Sequence, residues 1–205
     1  MRCPASDPGF AEHPIHGVVA QQHLLRQILP FVKHKRVAID VGAHIGTWTL
    51  PLAKVFKQVV AVEPQSENRA CLEENLAGVD NVLVVGCAFG ATVAEGAMAR
   101  PGDNSGTYHV APGTGVRIST LDNLAAGMEL GTVDFIKLDV EGFEGFALEG
   151  ATNVLRWFHP VVFFEDNGLG AAHYGPSWTD PKSILREHGY RHRGRIHKNE
   201  FWLPR

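Results

Sequence analysis

Five short apolar runs, separated by segments of helical period, constrain this chain more than any other feature. They cover residues 37–41, 59–62, 81–85, 133–138 and 161–164 and are rich in Val, Ile, Leu and Phe. Runs of this kind suit strands buried on both faces, as in a parallel sheet covered by helices on each side. Between them, helices are predicted over 47–56 despite Pro51, and over 66–76, 120–126, 146–157 and 180–188. Residues 116–119 form a short strand, and the small residues of 90–115 read as an irregular excursion or a hairpin. Residues 190–194 and 200–203 form a terminal antiparallel pair. The expected fold is α/β: a doubly wound, seven-stranded, mostly parallel sheet with helices on both faces and an antiparallel C-terminal strand pair.

The 205 residues suit one ordinary domain. Residues 1–14 have no period and are expected to be mobile or laid over the surface, with their role in function left open. Val18, Leu24, Leu25, Ile28 and Leu29 recur near helical spacing until Pro30, so residues 1–30 read as an extension with a flanking helix and 31–205 as the main domain. The net charge is −3, and the short basic run 33–36 reads as a solvated face, so no nucleic-acid partner is expected. No apolar stretch reaches membrane-spanning length and no signal peptide is evident, so no membrane partner is expected either. Cys3, Cys71 and Cys87 are odd in number and lack CxxC spacing, which points to a reducing, cytoplasmic setting. Oligomeric state is not legible.

The chemistry begins at the first strand-to-helix turn, Asp40-Val41-Gly42-Ala43-His44-Ile45-Gly46. Gly42 and Gly46 permit close backbone approach, and helix-start amides can receive a ligand carboxylate. A nicotinamide fingerprint wants glycines at 42, 44 and 47, where this chain has Gly42, His44 and Thr47. A P-loop would need a lysine and an adjoining hydroxyl that are absent. Glu63, closing the second strand, can accept both hydroxyls of a ribose, and ligands of open α/β sheets lie beyond the carboxyl ends of the strands. That places the Gly42 turn, Glu63, residues 87–89 and Asp139 around one crevice.

These motifs, with Glu63-Pro64 followed by Asn75, Thr120-Leu121-Asp122-Asn123-Leu124 and Ile136-Lys137-Leu138-Asp139-Val140-Glu141-Gly142-Phe143-Glu144, resemble the FkbM-like family of class I S-adenosylmethionine-dependent methyltransferases. The likeness spans roughly residues 37–167, and Glu200-Phe201-Trp202-Leu203-Pro204 looks like that family's last strand. His44 and Cys87 stand where the family often has Asn. The resemblance implies S-adenosyl-L-methionine as cofactor, with the Gly42 loop, including Asp40, Ala43, His44 and Gly46, around its methionyl part. It further implies Glu63 at the ribose, Pro64 with Cys87, Ala88 and Phe89 around adenine, Asp139 near the donor, and O-methylation.

A hydroxyl acceptor must lose a proton, and Asp139 and Glu141, just past a buried strand, are the candidate catalytic acids. Lys137 can neutralise a buried acid or orient substrate, while Glu165, Asn167, His173 and Tyr174 are candidate substrate contacts. Residues 104–107 and 165–174 are expected to finish the substrate pocket, with the N-terminal segment as a further candidate and a glycine-rich lid over 168–175. The expected acceptor is a compact small molecule such as a sugar or polyol. Three alternatives remain: divalent-metal assistance through Asp139, Asp166 and Asn167, a nicotinamide oxidoreductase, and a non-catalytic nucleoside-binding domain. No metal site is assigned.

Overall fold

The computed structural model describes residues 1–4, 7, 14–102 and 104–205, with the side chains of 14–20 outside the description. Most of the expected N-terminal segment and the side chain of Val18 in the flanking helix therefore lie outside what is described. The main sheet is built from β1 (Val37–Val41), β2 (Gln58–Val62), β3 (Val82–Val85), β7 (Phe135–Leu138), β8 (Val161–Glu165), β9 (Tyr190–Ile196) and β10 (Asn199–Pro204). Its order is β3-β2-β1-β7-β8-β10-β9. The first five strands run parallel, and β10 lies antiparallel between β8 and β9. The expected architecture holds. The chain moves outward from β1 to β3 and returns beside β1 as β7, which makes the β1/β7 junction the switch point where ligands of such sheets collect.

Strand alternation explains the two faces. Ile39, Val41, Ile136, Leu138, Val162 and Phe164 enter one core, which is covered by α4 (Leu121–Gly127), α5 (Glu144–Glu149), α6 (Thr152–Phe158) and α8 (Pro181–Glu187). Ala38, Phe135, Val161 and Phe163 enter the other, against α1 (Pro14–Ile28) and α2 (Thr49–Ala53). Leu25 and Ile28 of α1 are buried in that second core with Trp48 and Leu52, so the flanking helix is part of the packing. Helix α3 (Ser66–Asn75) covers Ala61 through Leu72.

Four segments refine or depart from the expectation. The excursion takes the hairpin alternative, with β5 (Ala94–Ala99) antiparallel to the long β6 (His109–Ser119), and β4 (Ala88–Phe89) extends it to a second sheet ordered β4-β6-β5. Its backbone pairing rests on small residues, which carry little apolar pattern. The helix expected over 146–157 is two, α5 and α6, with Gly150 at the break, where a side chain would lie 2.1 Å from the Gly90 carbonyl oxygen. The Asp122 carboxylate then accepts from the amides of Asn153 and Val154 and starts α6 anew. The expected helix 47–56 contracts to α2, since residues 44–48 are a turn. In the segment expected as a glycine-rich lid, Leu169–Tyr174 forms helix α7. Among the described residues, no helix is long and apolar enough to cross a membrane.

One buried ion pair sits at the switch point. Asp40 of β1 faces Lys137 of β7 across the ladder, with Lys137 Nζ 3.1 Å from Asp40 Oδ1 and side-chain exposures of 0% and 3%. Thr49 of α2 donates to Asp40 Oδ2 at 2.7 Å, and Lys137 Nζ donates to the Gly42 carbonyl at 2.8 Å. Lys137→Met is expected to destabilise the protein by about 3–5 kcal/mol, because it leaves Asp40 buried without a counter-charge. Adding Asp40→Asn should recover part of that loss in urea denaturation; an unchanged midpoint for Lys137→Met would contradict the assignment.

Candidate functional site

A cavity of about 290 Å³ opens at the carboxyl edge of the sheet around the switch point. Its floor is the β1 turn and the β7 end, with Val41, Gly42, His44, Thr47, Lys137, Asp139, Val140 and Glu141. Glu63, Pro64 and Asn68 form one wall, Cys87, Ala88 and Phe89 the next, and Glu165 closes the far end. Residues 104–108 and Val110 form the roof, as expected for 104–107.

The turn after β1 is held from within. The amides of Gly42 and Ala43 donate to the Val62 carbonyl, His44 N donates to Glu63 Oε2 at 2.8 Å, and Gly46 N donates to the Ala43 carbonyl. Three of these amides are thus committed to the end of β2 and to Glu63, and that of Gly46 to the loop itself. Gly42 has φ of +77°, and a side chain there would lie 1.9 Å from the Asp139 carbonyl oxygen, so the glycine is required by strand-to-strand approach. Ala43 packs with Ala61, Leu72 and Leu76, and Gly46 leaves room for Leu72. Asp40, Ala43 and Gly46 are therefore beneath the cavity, not on its wall, which removes their side chains from direct ligand contact.

Glu63 is buried, at 5% exposure, instead of standing on a solvent edge. Burial pushes its carboxyl up to about 7 against the amides of Gln65 and His44, which favour the ionised form. Each oxygen accepts one of those N–H groups, Asn68 adds a side-chain hydrogen bond to the carboxylate, and of its roughly four lone-pair sites one is left for a ligand hydroxyl. Arg69, which the sequence reading passed over, donates to the carbonyls of Glu63 and Pro64 and covers Gly86, so it clamps the ends of β2 and β3 together.

His44 adopts φ of +52° and meets Ser105 Oγ at 2.7 Å. Ser105 donates its hydroxyl and its amide to Asp7 Oδ2, both at 2.7 Å, so its oxygen is left to accept from His44 Nε2–H. Burial lowers the imidazole to about 4, which keeps it neutral. Asp7 is 4% exposed. The N-terminal segment, one of the regions considered for finishing the substrate pocket, reaches the cavity roof through this residue.

The acidic end gathers Asp139, Glu141 and Glu165, with carboxylate oxygens within 4.8 Å of one another. Glu141 sits at φ of +54° beside Gly142 at +98°, a left-handed pair pressed against Gly170. Burial, then Asp139 and Glu165, raise the Glu141 carboxyl to about 7; burial and Asp139 also raise Glu165. Asn167 Nδ2 donates to Glu141 and Glu165, His173 Nδ1 meets the Glu141 carbonyl at 3.0 Å, and Tyr174 donates to the Val110 carbonyl. Asn167, His173 and Tyr174 thus brace the wall from behind. Asp166 turns away to Lys182 at 2.7 Å, so the set Asp139, Asp166 and Asn167 is not assembled as a metal site.

The family model for the methyltransferase FkbM domain matches residues 40–192. The chain belongs to the FkbM methyltransferase family. As a member of that family it is a methyltransferase, and the nicotinamide and non-catalytic readings fall away. A curated relative, the hexuronic acid methyltransferase AglP of Haloferax volcanii, is 28% identical over 177 residues, covering 84% of this chain and 69% of the relative. The structure of the methyltransferase FkbM from Methylobacillus flagellatus is similar with a TM-score of 0.53 at 21% identity, over 82% of this chain. The chain spans 43% of that protein's length. A ribosomal protein L11 methylase from Lactobacillus delbrueckii shares the fold at a TM-score of 0.50 and 14% identity, covering 93% of this chain and 79% of the methylase.

The raised carboxyls have a consequence for stability. Glu63, Glu141 and buried Glu144 all lie near 7 in the fold, above the ordinary 4.5, so the folded state holds their protons more tightly than the unfolded chain. Their contribution is full below the unfolded value and is lost as pH rises through about 7. His44, lowered to about 4, acts oppositely between its unfolded 6.5 and 4, and His109 is lowered in the same direction. From pH 6.5 to 8 the carboxyls dominate, and the melting temperature of the ligand-free protein should fall. Glu144→Gln should flatten that slope in a thermal scan; a rising melting temperature would contradict the assignment.

Proposed function

We propose that this domain transfers a methyl group from S-adenosyl-L-methionine to a hydroxyl oxygen of a small sugar or polyol-like acceptor. The observation that carries the reading is one cavity with three successive chemistries. Pro64, Ala88 and Phe89 offer apolar surface for a base, Glu63 offers acceptors for ribose hydroxyls, and Asp139 with Glu141 offers negative charge beyond them. The cavity stands at the low end of the roughly 300–1,000 Å³ of small-molecule sites, compatible with a nucleoside-sized ligand. When bound, the donor supplies an electrophilic methyl on a cationic sulfonium. The sugar-acid substrate named for AglP supports a carbohydrate acceptor.

The division of labour follows from environment. Lys137 lies 3.7 Å from Asp139 and holds part of its charge, which suits Asp139 to orientation. Glu141, near 7, is matched to accept a proton at neutral pH. The acceptor oxygen forms the new O–C bond as the methyl–sulfur bond breaks, the electron pair leaves with sulfur, and the hydroxyl proton passes to Glu141. Holding the oxygen in line and excluding water can supply about 7–11 kcal/mol in favourable intramolecular analogues. Cys3, Cys71 and Cys87 form no disulfide among the described residues, which supports a cytoplasmic setting.

Incubation with donor carrying a labelled methyl and a panel of glycosides tests the reading. Label should enter a sugar ether, and Glu141→Gln should lower turnover by about 10²–10⁴-fold with donor affinity retained. Glu63→Ala should weaken donor binding by about 1.5–3 kcal/mol in calorimetry. It should also lower the melting temperature, because the amides of His44 and Gln65 lose their acceptor. Donor binding with no transfer to any sugar would overturn the acceptor assignment.

A further inference from the structure

We infer that the acceptor of this domain is a neutral or amine-bearing polyol and that its site discriminates against a sugar carrying a carboxylate. The inference rests on the methyl-transfer reading above and names the substrate class of the same cavity. Its first support is the charge at the acceptor end, where Asp139, Glu141 and Glu165 all stand on the cavity wall with oxygens within 4.8 Å of one another. Its second is the supply of counter-charge. Among the described residues lining the cavity there is no arginine, and Lys137 is the single lysine.

Lys137 is already committed to Asp40 and to the Gly42 carbonyl, with Asp139 beside it. Lys198 approaches Glu165 at 3.9 Å, but its side chain is 70% exposed and it does not line the cavity. The Asn167 amide hydrogens, which would otherwise suit a carboxylate, are spent on Glu141 and Glu165. A uronic acid would thus bring a negative group to three acids with no bidentate cation to receive it, and such like-charge juxtaposition is a recognised device for excluding a partner.

Hydroxyls meet the same surface favourably. An ionised carboxylate accepts an O–H, and a protonated one donates to the hydroxyl oxygen, so a group of three acids in which Glu141 and Glu165 have raised affinity for protons can serve both sides of adjacent hydroxyls. An ammonium group on the sugar ring would gain charge-assisted hydrogen bonds from the same oxygens. The strained left-handed backbone at Glu141 and the brace from Asn167 fix two of the three carboxylates before any acceptor arrives, so discrimination needs no rearrangement.

The test uses methyl glycosides in the gluco, galacto and manno series, each as the neutral sugar, the 2-amino sugar and the hexuronide, with one donor concentration. Within a series, kcat/KM for the neutral or amino sugar should exceed that for the hexuronide by about tenfold or more, since a like charge is met at short range. Glu165→Gln should narrow the gap by raising the relative rate on the hexuronide, with S-adenosylhomocysteine affinity measured alongside to verify an intact donor site. Parity, preference for the hexuronide, or a gap unmoved by Glu165→Gln would overturn the charge discrimination while leaving sugar methylation standing. Absence of transfer to every glycoside by a protein that binds S-adenosylhomocysteine would instead remove the sugar reading and this inference with it.

Discussion

The buried pair of Asp40 and Lys137 is the interaction on which the rest of the molecule depends. Two charges removed from water must satisfy each other and their remaining hydrogen-bonding capacity locally. Here Thr49 occupies the other Asp40 oxygen and the Gly42 carbonyl receives the ammonium, so β1, β7, α2 and the first turn meet at one point. The Asp139 carbonyl fills the space where a side chain at Gly42 would go. The position of Asp139, and with it the acidic end of the cavity, is fixed by the packing of the two strands and not by a flexible loop.

That rigidity has an electrostatic counterpart. Glu63, Glu141, Glu144 and Glu165 all hold protons more tightly than a free carboxyl, each chiefly because burial penalises its charged form. Glu144 accepts from the amides of Val140 and Gly142 and so shapes the loop that carries Glu141. An edge rich in partly neutralised acids can bind a cationic donor and still retain a base near neutral pH. Such concentrations of perturbed groups and left-handed backbone mark working sites more often than structural ones.

The main sheet was legible because its central strands are continuous apolar runs, and the glycine turn, Glu63 and Asp139 close three of them. Ala94–Ala99 and His109–Ser119 were legible only as a hairpin alternative without bounds, and their sheet with Ala88–Phe89 was not, since they pair through the backbones of small residues and shift register at Gly96 and Ala97. The break between α5 and α6 depends on the distant Gly90 carbonyl and Asp122 carboxylate. Site residues separated by long stretches of chain were equally hidden. Asp7 meets Ser105, and Asn68 donates to the Ser105 carbonyl, through contacts that no local pattern encodes. Asp40 illustrates the reverse case: its place in the motif suggested the ligand, whereas its complete burial assigns it to the frame.

A crystal structure of the protein with S-adenosylhomocysteine tests the central claim most directly. The account predicts ribose hydroxyls on the Glu63 carboxylate, adenine against Pro64, Ala88 and Phe89, and the sulfur directed toward Asp139 and Glu141. A ligand bound outside this cavity, or within it with its sulfur turned away from the acidic end, would contradict the account.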